Sequence, residues 1–390
     1  MIITHSTEKS GKMQALFWEY LEILRMKVLK FGGTSVGSPQ AINRIIAILK
    51  DQDHKGKVPA VVVSAFSGVT DTLIGMAYSA VGKTAGNGSY REMLEDLTAR
   101  HRATAAHFLK NADRKSAFAE INALIEELKR VLEGINLLAE LSPRTLDLVM
   151  SFGERLSAGI IAHACTANGI AAAFLDARTL IRANDRFGNA QYLPAETFAA
   201  IRSFFKHPQG GSQGGKLPLQ IVTGFIASTT DGQTVTLGRG GSDLTAAIFG
   251  AAMKAELVEI WTDVDGIYTA NPQIVPNALM IDEISYAEAM EISHFGAKVL
   301  FPPTVRPALE QDIPIAIRNT FNPASSGTRI TRKAPQGEFP IRGISSMDHI
   351  ALVRLQGPGM VGVAGFSARV FGALARRRIS VILITQSSSE

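Results

Sequence analysis

Three turns made of glycine, serine and threonine punctuate this chain at the edges of apolar runs, and this punctuation limits the fold more than any other feature. KVLKF (27–31) runs into GGTSVG (32–37), VPAVVVSA (58–65) runs into SAFSGVT (64–70), and LGRGGSD (237–243) opens a helical pattern over 242–253. Helical spacing also follows the first two turns, near 40–50 and from 69. Short apolar strands alternating with helices predict an α/β fold, a mainly parallel sheet covered by helices on both faces. In open sheets of this kind a ligand lies outside the carboxyl ends of the strands, where such turns gather.

Further strands are predicted at 170–175, 219–223 and 256–262, and the long helical stretch 91–140 lacks strand signals. Ser142-Pro143 reads as a cap and first-turn proline for a helix through 167. Ser285 and Glu288 have capping-box spacing. HPQGGSQGGK (207–216) has no apolar period and reads as a surface loop, while PASSGTRITRKAPQGEFP (323–340) reads as a linker. Beyond it, HIALVRLQG (349–357), GFSARVFGALARRR (365–378) and ISVILITQ (379–386) read as strand, helix and strand. So small a unit cannot bury both faces of a sheet, so it is expected to be incomplete or completed by another copy. Arg376, Arg377 and Arg378 close its helix where the dipole is negative, a better account of them than a nucleic-acid patch.

The 390 residues are too many for one ordinary core, and two or three domains are expected. Apolar residues at 46% and charged residues at 19% describe a globular rather than a disordered chain. A formal charge of +5 is small for this length, and no basic block carries interleaved aromatics, which argues against general nucleic-acid binding. No apolar run approaches the roughly 18 residues of a membrane helix. Residues 1–25 carry Glu8, Glu19 and Glu22 and lack a signal peptide's apolar centre. They read as an extension, with a short helix at 13–25, ahead of a natural start at Met26. The single cysteine, Cys165, excludes an internal disulfide framework and fits a reducing cytoplasm. Its helical setting reads as a buried, inert thiol.

Lys30 stands at the end of the first strand, just before the glycines. GGTSVG is neither a Walker A loop nor a dinucleotide fingerprint, and a plain tight turn would account for its glycines. A lysine beside exposed backbone N–H groups suits triphosphate oxygens better than it suits a core. In LGRGGSD, Arg239 offers a planar fork for a carboxylate, Gly240 and Gly241 open backbone donors, and Asp243 begins the next helix, where a cap is the plain alternative. SFGERLSAG (151–159) sets Glu154 beside Arg155 in an apolar helix, either as a solvated ion pair or as a carboxylate that anchors an ammonium group. EIWTDVDGIYTANP (259–272) runs a strand into an acidic turn. There Thr262, Asp263 and Tyr268 line a nucleotide pocket, or Asp265-Gly266 is turn chemistry alone. No histidine motif suggests a general base, and His294 reads as structural or peripheral.

Taken together, KFGGTS (30–35), GERLS (153–157), GFIA (224–227), LGRGGSD (237–243), WTDVDGIYT (261–269) and FGAKVL (295–300) closely resemble the aspartate kinases of the amino acid kinase family, from Met26 to Glu390. ELSPRTLDLVMSFGERLS (140–157) and the ending ISVILITQSSSE are most similar to the kinase part of bifunctional aspartokinase–homoserine dehydrogenases. The resemblance implies the three-layer αβα amino acid kinase fold over 26–322, after the extension 1–25. A linker over 323–340 and a partial ACT regulatory domain over 341–390 follow, with no dehydrogenase activity in this chain. It implies ATP-dependent phosphorylation of the side-chain carboxylate of L-aspartate to 4-phospho-L-aspartate, with Mg²⁺ accompanying ATP, as the first step of lysine, threonine and methionine biosynthesis.

By that resemblance Lys30, Gly32, Gly33 and Ser35 hold ATP phosphates, and Lys30 and Asp243 are catalytic. Thr262, Asp263, Tyr268 and Lys298 complete the nucleotide site. Ser64, Thr70, Glu154, Phe225, Arg239, Gly240, Gly241 and Ser242 surround aspartate, and no side-chain metal site is expected. A threonine or lysine effector is implied near Ile384 and Gln386, acting weakly or not at all because the ACT module is truncated. A cytoplasmic homo-oligomer is implied, without nucleic-acid or membrane partners.

Two stretches depart from the family pattern. Asn271, Pro272 and Gln273 stand where D-P-R is usual, and Phe301 and Pro303 alter the usual V-L-H-P-R. Losing one charge-assisted contact costs about 1.5–3 kcal/mol, so weaker ATP binding is expected rather than a dead enzyme. Asn271, Gln273, Phe301 and Pro303 are also the only support for a non-catalytic amino-acid sensor of this fold. A kinase acting on another acid, such as acetylglutamate, is the remaining alternative. Against it, Glu154 and Arg239 together suit a free amino group and an α-carboxylate.

Overall fold

Successive residues of the first strand enter opposite cores: Leu29 and Phe31 pack on one side of a sheet and Val28 on the other. The computed structural model describes residues 26–53, 58–82, 89–206, 217–294, 301–334, 341–355, 364–377 and 379–385. Its strands are β1 (Lys27–Phe31), β2 (Ala60–Val63), β3 (Ala172–Leu175), β4 (Leu219–Thr223), β5 (Ile226–Ser228), β6 (Thr234–Thr236), β7 (Leu257–Thr262), β8 (Glu283–Ser285), β9 (Ile315–Asn319) and β10 (Thr328–Thr331). An eight-stranded sheet runs in the order β3-β4-β2-β1-β7-β9-β10-β8, with β5 and β6 paired apart from it. Within the large sheet only β9 and β10 pair antiparallel.

Helices cover both faces. On one side lie α1 (Gly33–Val36), α2 (Pro39–Asp53), α3 (Val69–Ala80), α4 (Tyr90–Phe108), α5 (Asn111–Leu138) and α6 (Pro143–Ala167). On the other lie α7 (Pro194–Lys206), α8 (Gly241–Met253), α9 (Tyr286–His294) and α10 (Arg306–Glu310). This is the mainly parallel three-layer α/β architecture that the sequence predicts. β1 is flanked by β2 and β7, so the chain leaves its carboxyl end in one direction and returns from the other. Such a reversal opens a crevice at the strand ends.

Local signals set several boundaries. The Ser142 hydroxyl accepts from the Thr145 N–H at 3.2 Å and Pro143 begins α6, as the sequence reading has it. Ser285 and Glu288 bond reciprocally at the start of α9. The stretch expected as one helix over 91–140 is two helices. Leu109 turns extended into the core, and Asn111 takes φ 50°, a value asparagine tolerates better than most residues.

The expected linker 323–340 needs correction, because Thr328–Thr331 forms β10, pairing with β9 and β8. Thr328 and Ile330 point inward while Arg329 is exposed, the alternation of a half-buried strand. The preceding Pro-Ala-Ser-Ser-Gly run is therefore a β-hairpin turn, closed by Gly327 at φ 74°. The chain divides into units after Ser346 rather than at 341. In the second unit α11 (Phe366–Arg376) forms as expected. Of the expected strands 349–357 and 379–386, the described parts, 349–355 and 379–385, pair with no strand among the described residues. The expected loop 207–216 lies outside the described residues.

Candidate active site

The turns that follow β1, β2, β4 and β7 meet at one crevice, a cleft of about 720 Å³. Its wall carries Lys30, Gly32 and Gly33 from the first turn, Ser64 and Thr70 from the second, Phe225 from the third, and Thr262 and Asp263 from the fourth. Arg239, Gly240, Gly241, Ser242 and Asp243 approach from the start of α8, and Glu154 approaches from α6. The structure thus brings together most of the site residues expected from sequence.

Lys30 and Asp243 form the charged centre. The ammonium Nζ lies 2.6 Å from Asp243 Oδ1, with both side chains largely shielded. Gly32 N–H donates to the Trp261 carbonyl at 3.1 Å, tying the glycine turn to β7. Ser35 lies beneath the cleft rather than on its wall. It is fully buried, with its hydroxyl 2.7 Å from the Thr320 hydroxyl, whereas Thr34 lines the opening.

Glu154 is placed by a clamp that the GERLS run encodes. A Cβ on Gly153 would lie 2.7 Å from the Ala65 Cβ, so only glycine lets α6 approach the second turn this closely. That approach brings the Ala65 N–H to Glu154 Oε1 at 3.1 Å and the Ser157 hydroxyl to the Ser64 carbonyl at 2.7 Å. Glu154 is 3% exposed, and its Oε2 has no hydrogen-bond partner among the described residues. Burial pushes its carboxyl up to about 8, against the opposing pull of the Ala65 N–H. Arg155 does not pair with it. The guanidinium turns to the far side of α6 and holds Glu127 through two bonds, 3.1 and 2.7 Å.

Glycines shape the Arg239 turn. Gly238 and Gly240 take φ 73° and 70°, and a Cβ on Gly240 would press on Thr304 at 2.7 Å and on Phe301. Arg239 is exposed, its guanidinium 5.6 Å from the centroid of the Phe301 ring. Phe225 holds φ 67°, its N–H bonded to Thr245 Oγ1 and its carbonyl to the Leu237 N–H. Ser64 and Ser242 share a 3.0 Å bond across the cleft floor.

Other expected residues fall elsewhere. Tyr268 is not part of the cleft wall, and its hydroxyl reaches Asp265 Oδ2 at 3.5 Å. Asp265 itself ties a turn, accepting from Asn319 and Asn322 at 2.9 and 3.0 Å. Lys298 and Gln386 lie outside the described residues, and Ile384 is exposed in the second unit. Sequence reasoning passed over Thr34, Ser157, Gly188, Thr236 and the buried Asp147. The signal for Asp147 was its position seven residues before Glu154, on the same face of an otherwise apolar helix.

No group of three or more His, Cys, Asp or Glu side chains that could hold a metal ion occurs among the described residues. No histidine lines the cleft among them either.

Comparison with known proteins agrees with this geometry. Residues 25–319 match the amino acid kinase family and residues 353–390 match the ACT domain. The chain belongs to the amino acid kinase family. Within it the chain is homologous to aspartokinases. It is 37% identical over 373 residues to lysine-sensitive aspartokinase 3 of Escherichia coli, covering 92% of this chain and 76% of that protein. It is 36% identical over 370 residues to the chloroplastic bifunctional aspartokinase/homoserine dehydrogenase 1 of Arabidopsis thaliana, covering 93% of this chain and 39% of that one. The chain thus spans about two fifths of the length of the bifunctional plant relatives. Among solved structures, E. coli aspartokinase III with lysine and aspartate superposes with a TM-score of 0.77 at 34% identity, covering 94% of this chain and 78% of that one. The same enzyme with aspartate and ADP gives 0.72 at 34% identity, covering 93% and 77%.

Proposed function

We propose that this cleft transfers the γ-phosphoryl group of ATP to the side-chain carboxylate of L-aspartate. The observation that carries the reading is the pairing of two unlike poles on one wall. A buried, half-satisfied carboxylate, Glu154, suits an ammonium, and the Lys30 ammonium beside the glycine turn suits phosphates. Relatives with bound aspartate and ADP support the same assignment.

In this reaction a carboxylate oxygen forms a bond to the γ-phosphorus, and the bond from that phosphorus to the β,γ-bridging oxygen breaks. ADP leaves with the electron pair. The attacking carboxylate is already an anion at neutral pH, so no general base is needed. The barrier to overcome is repulsion between anions, about 4 kcal/mol for unit charges at 4 Å and an effective dielectric near 20. Lys30 and the N–H groups of Gly33 and Thr34 oppose that repulsion as charge builds on the phosphoryl oxygens. Arg239 takes the α-carboxylate, Glu154 the α-ammonium, and the Ser64–Ser242 pair closes the floor.

Mg²⁺ fits this donor set as a companion of the nucleotide. It is commonly held by one or two carboxylates plus phosphate oxygens, and Asp243 and Asp263 are the carboxylates on this part of the wall. When bound it would neutralise phosphate charge. Amino-acid regulation through the ACT segment, by lysine or threonine, belongs to the same reading, because one relative's structure holds lysine. No helix among the described residues is long and apolar enough to cross a membrane. Cys165 is buried, and burial pushes its thiol up to about 12, so it is inert.

The test is ADP release with aspartate, glutamate and N-acetylglutamate in turn. Release with aspartate alone is expected. Preference for N-acetylglutamate would reassign the substrate, and stabilisation by aspartate without any ADP release would leave an amino-acid sensor.

A further inference from the structure

Asp147 is fully buried in α6, two helical turns before Glu154, and it spends both oxygens on the cleft wall. Oδ2 accepts from the Gly188 N–H at 2.8 Å and from the Thr236 N–H at 2.9 Å. Oδ1 accepts from the Thr236 hydroxyl at 2.8 Å. Gly188 and Thr236 both line the cleft. They belong to one joined segment, since the Ala190 N–H bonds the Thr236 carbonyl at 2.9 Å. Asn189 in turn packs against Gly238, leaving no room there for a Cβ beside its Oδ1. Arg239 follows directly. One carboxylate therefore fixes the loop and the strand end from which the Arg239 turn departs.

We infer that Asp147 is a positioning residue for amino-acid recognition, holding the Gly188–Thr236 wall so that the Arg239 turn faces the anchor on Glu154. The inference rests on the aspartate reading above. Asp147 itself bonds Gly188 and Thr236, and among the described residues neither its carboxylate nor these donors bond Lys30 or the Gly32–Thr34 turn. That end is reached only through the Arg239 turn, which runs on to Asp243, so the role falls chiefly on the amino-acid end. What the network needs is acceptor geometry at Oδ2. An amide oxygen can accept from the same two N–H groups while the amide nitrogen donates to the Thr236 hydroxyl oxygen. Leaving two buried N–H groups unpaired is the costly change.

The experiment compares Asp147→Ala and Asp147→Asn with wild type in steady-state kinetics and in amide hydrogen exchange of the free protein. Asp147→Ala should raise the KM for aspartate at least about tenfold and leave the KM for ATP within about twofold. Asp147→Asn should restore the aspartate KM to within about threefold. Exchange at Gly188 and Thr236 should quicken in the alanine variant while exchange at Gly32 and Ser67 is unchanged. Equal rises in both KM values, or an asparagine variant as impaired as the alanine one, would overturn the inference. Should wild type fail to use aspartate, the functional reading falls, and the exchange pattern alone still decides whether Asp147 holds the wall. If the alanine variant does not fold, Thr236→Val, which loses only the hydroxyl donor, should raise the aspartate KM about threefold with ATP unaffected. No change there would overturn the inference as well.

Discussion

The Lys30 ammonium sits 2.6 Å from the Asp243 carboxylate, beside a glycine turn that lines the same cleft. Lys30 is the penultimate residue of β1 and Asp243 lies in the first turn of α8, so the contact joins two halves of the fold at the point where charge must be handled. The proposed chemistry brings triphosphate and carboxylate together there, and the lysine is the cation placed to oppose their repulsion.

Lys30→Ala should lower kcat by at least about 10²-fold, the scale of one preorganised electrostatic stabiliser. The fold should survive, since the side chain lies at a strand end. Steady-state ADP release with circular dichroism checks both, and near-normal turnover would remove Lys30 from the chemistry.

Glu154 makes substrate binding pH-dependent. Its carboxyl, raised by burial to about 8, is mostly protonated at neutral pH in the free protein, and only the ionised form attracts an ammonium. The KM for aspartate should fall roughly 25-fold between about pH 6.5 and about pH 8.5, as the competent fraction grows. The same site acts on stability with a definite sign. Between the ordinary value of 4.5 and about 8, the folded chain keeps a proton that the unfolded chain has lost. This contribution to stability therefore falls as pH rises through that window. Relative to wild type, Glu154→Gln should gain melting temperature between about pH 5 and about pH 8.5, while its aspartate KM loses the pH dependence.

Arg239→Ala should chiefly harm aspartate use, raising its KM tenfold or more, roughly the loss of one charge-assisted contact. Phe301 lies under that guanidinium, and Phe301→Leu should raise the same KM about two- to fivefold, in line with an exposed cation–π contact. If only the KM for ATP moved in these variants, the substrate assignment would be wrong.

Gly153→Ala should destabilise the protein by about 1–3 kcal/mol, because its methyl would meet the Ala65 Cβ in a filled region. Denaturant unfolding measures the loss. The aspartate KM should rise with it, since the Ala65–Glu154 bond depends on the same approach.

Asn271 keeps the turn-forming role open to an aspartate there, its Oδ1 accepting from the Gln273 N–H at 3.0 Å and its carbonyl from Val275 at 2.8 Å. The neutral Gln273 side chain is exposed. Gln273→Arg should lower the KM for ATP about tenfold, the gain of one charge-assisted contact. An unchanged value would mean that neutral Gln273 costs nothing.

Much of this was legible in the chain because the decisive signals are local. The alternation of apolar strands and glycine turns gave the layers, Ser142-Pro143 gave the start of α6, and the turns at 32, 64 and 238 lie on the cleft. Glu154 was visible as a charge in an apolar helix, but its separation from Arg155 was not. Adjacent helical residues point about 100° apart, and what each meets is decided by tertiary packing. The family resemblance gives Ser35 to the phosphates, and in the structure its hydroxyl turns inward to Thr320, a partner 285 residues away. The strand Thr328–Thr331 was hidden because its Pro, Gly and Ser neighbours form a hairpin turn, and composition alone does not separate such a turn from a linker. Asp147 escaped notice because its three donors come from segments 41 and 89 residues distant.

The most direct measurement is trapping of the product with hydroxylamine during turnover with ATP and aspartate. An acyl phosphate on the side chain yields the β-hydroxamate in step with ADP, and that is the expected result. ADP released without any hydroxamate, or with the α-hydroxamate instead, would contradict phosphoryl transfer to the side-chain carboxylate.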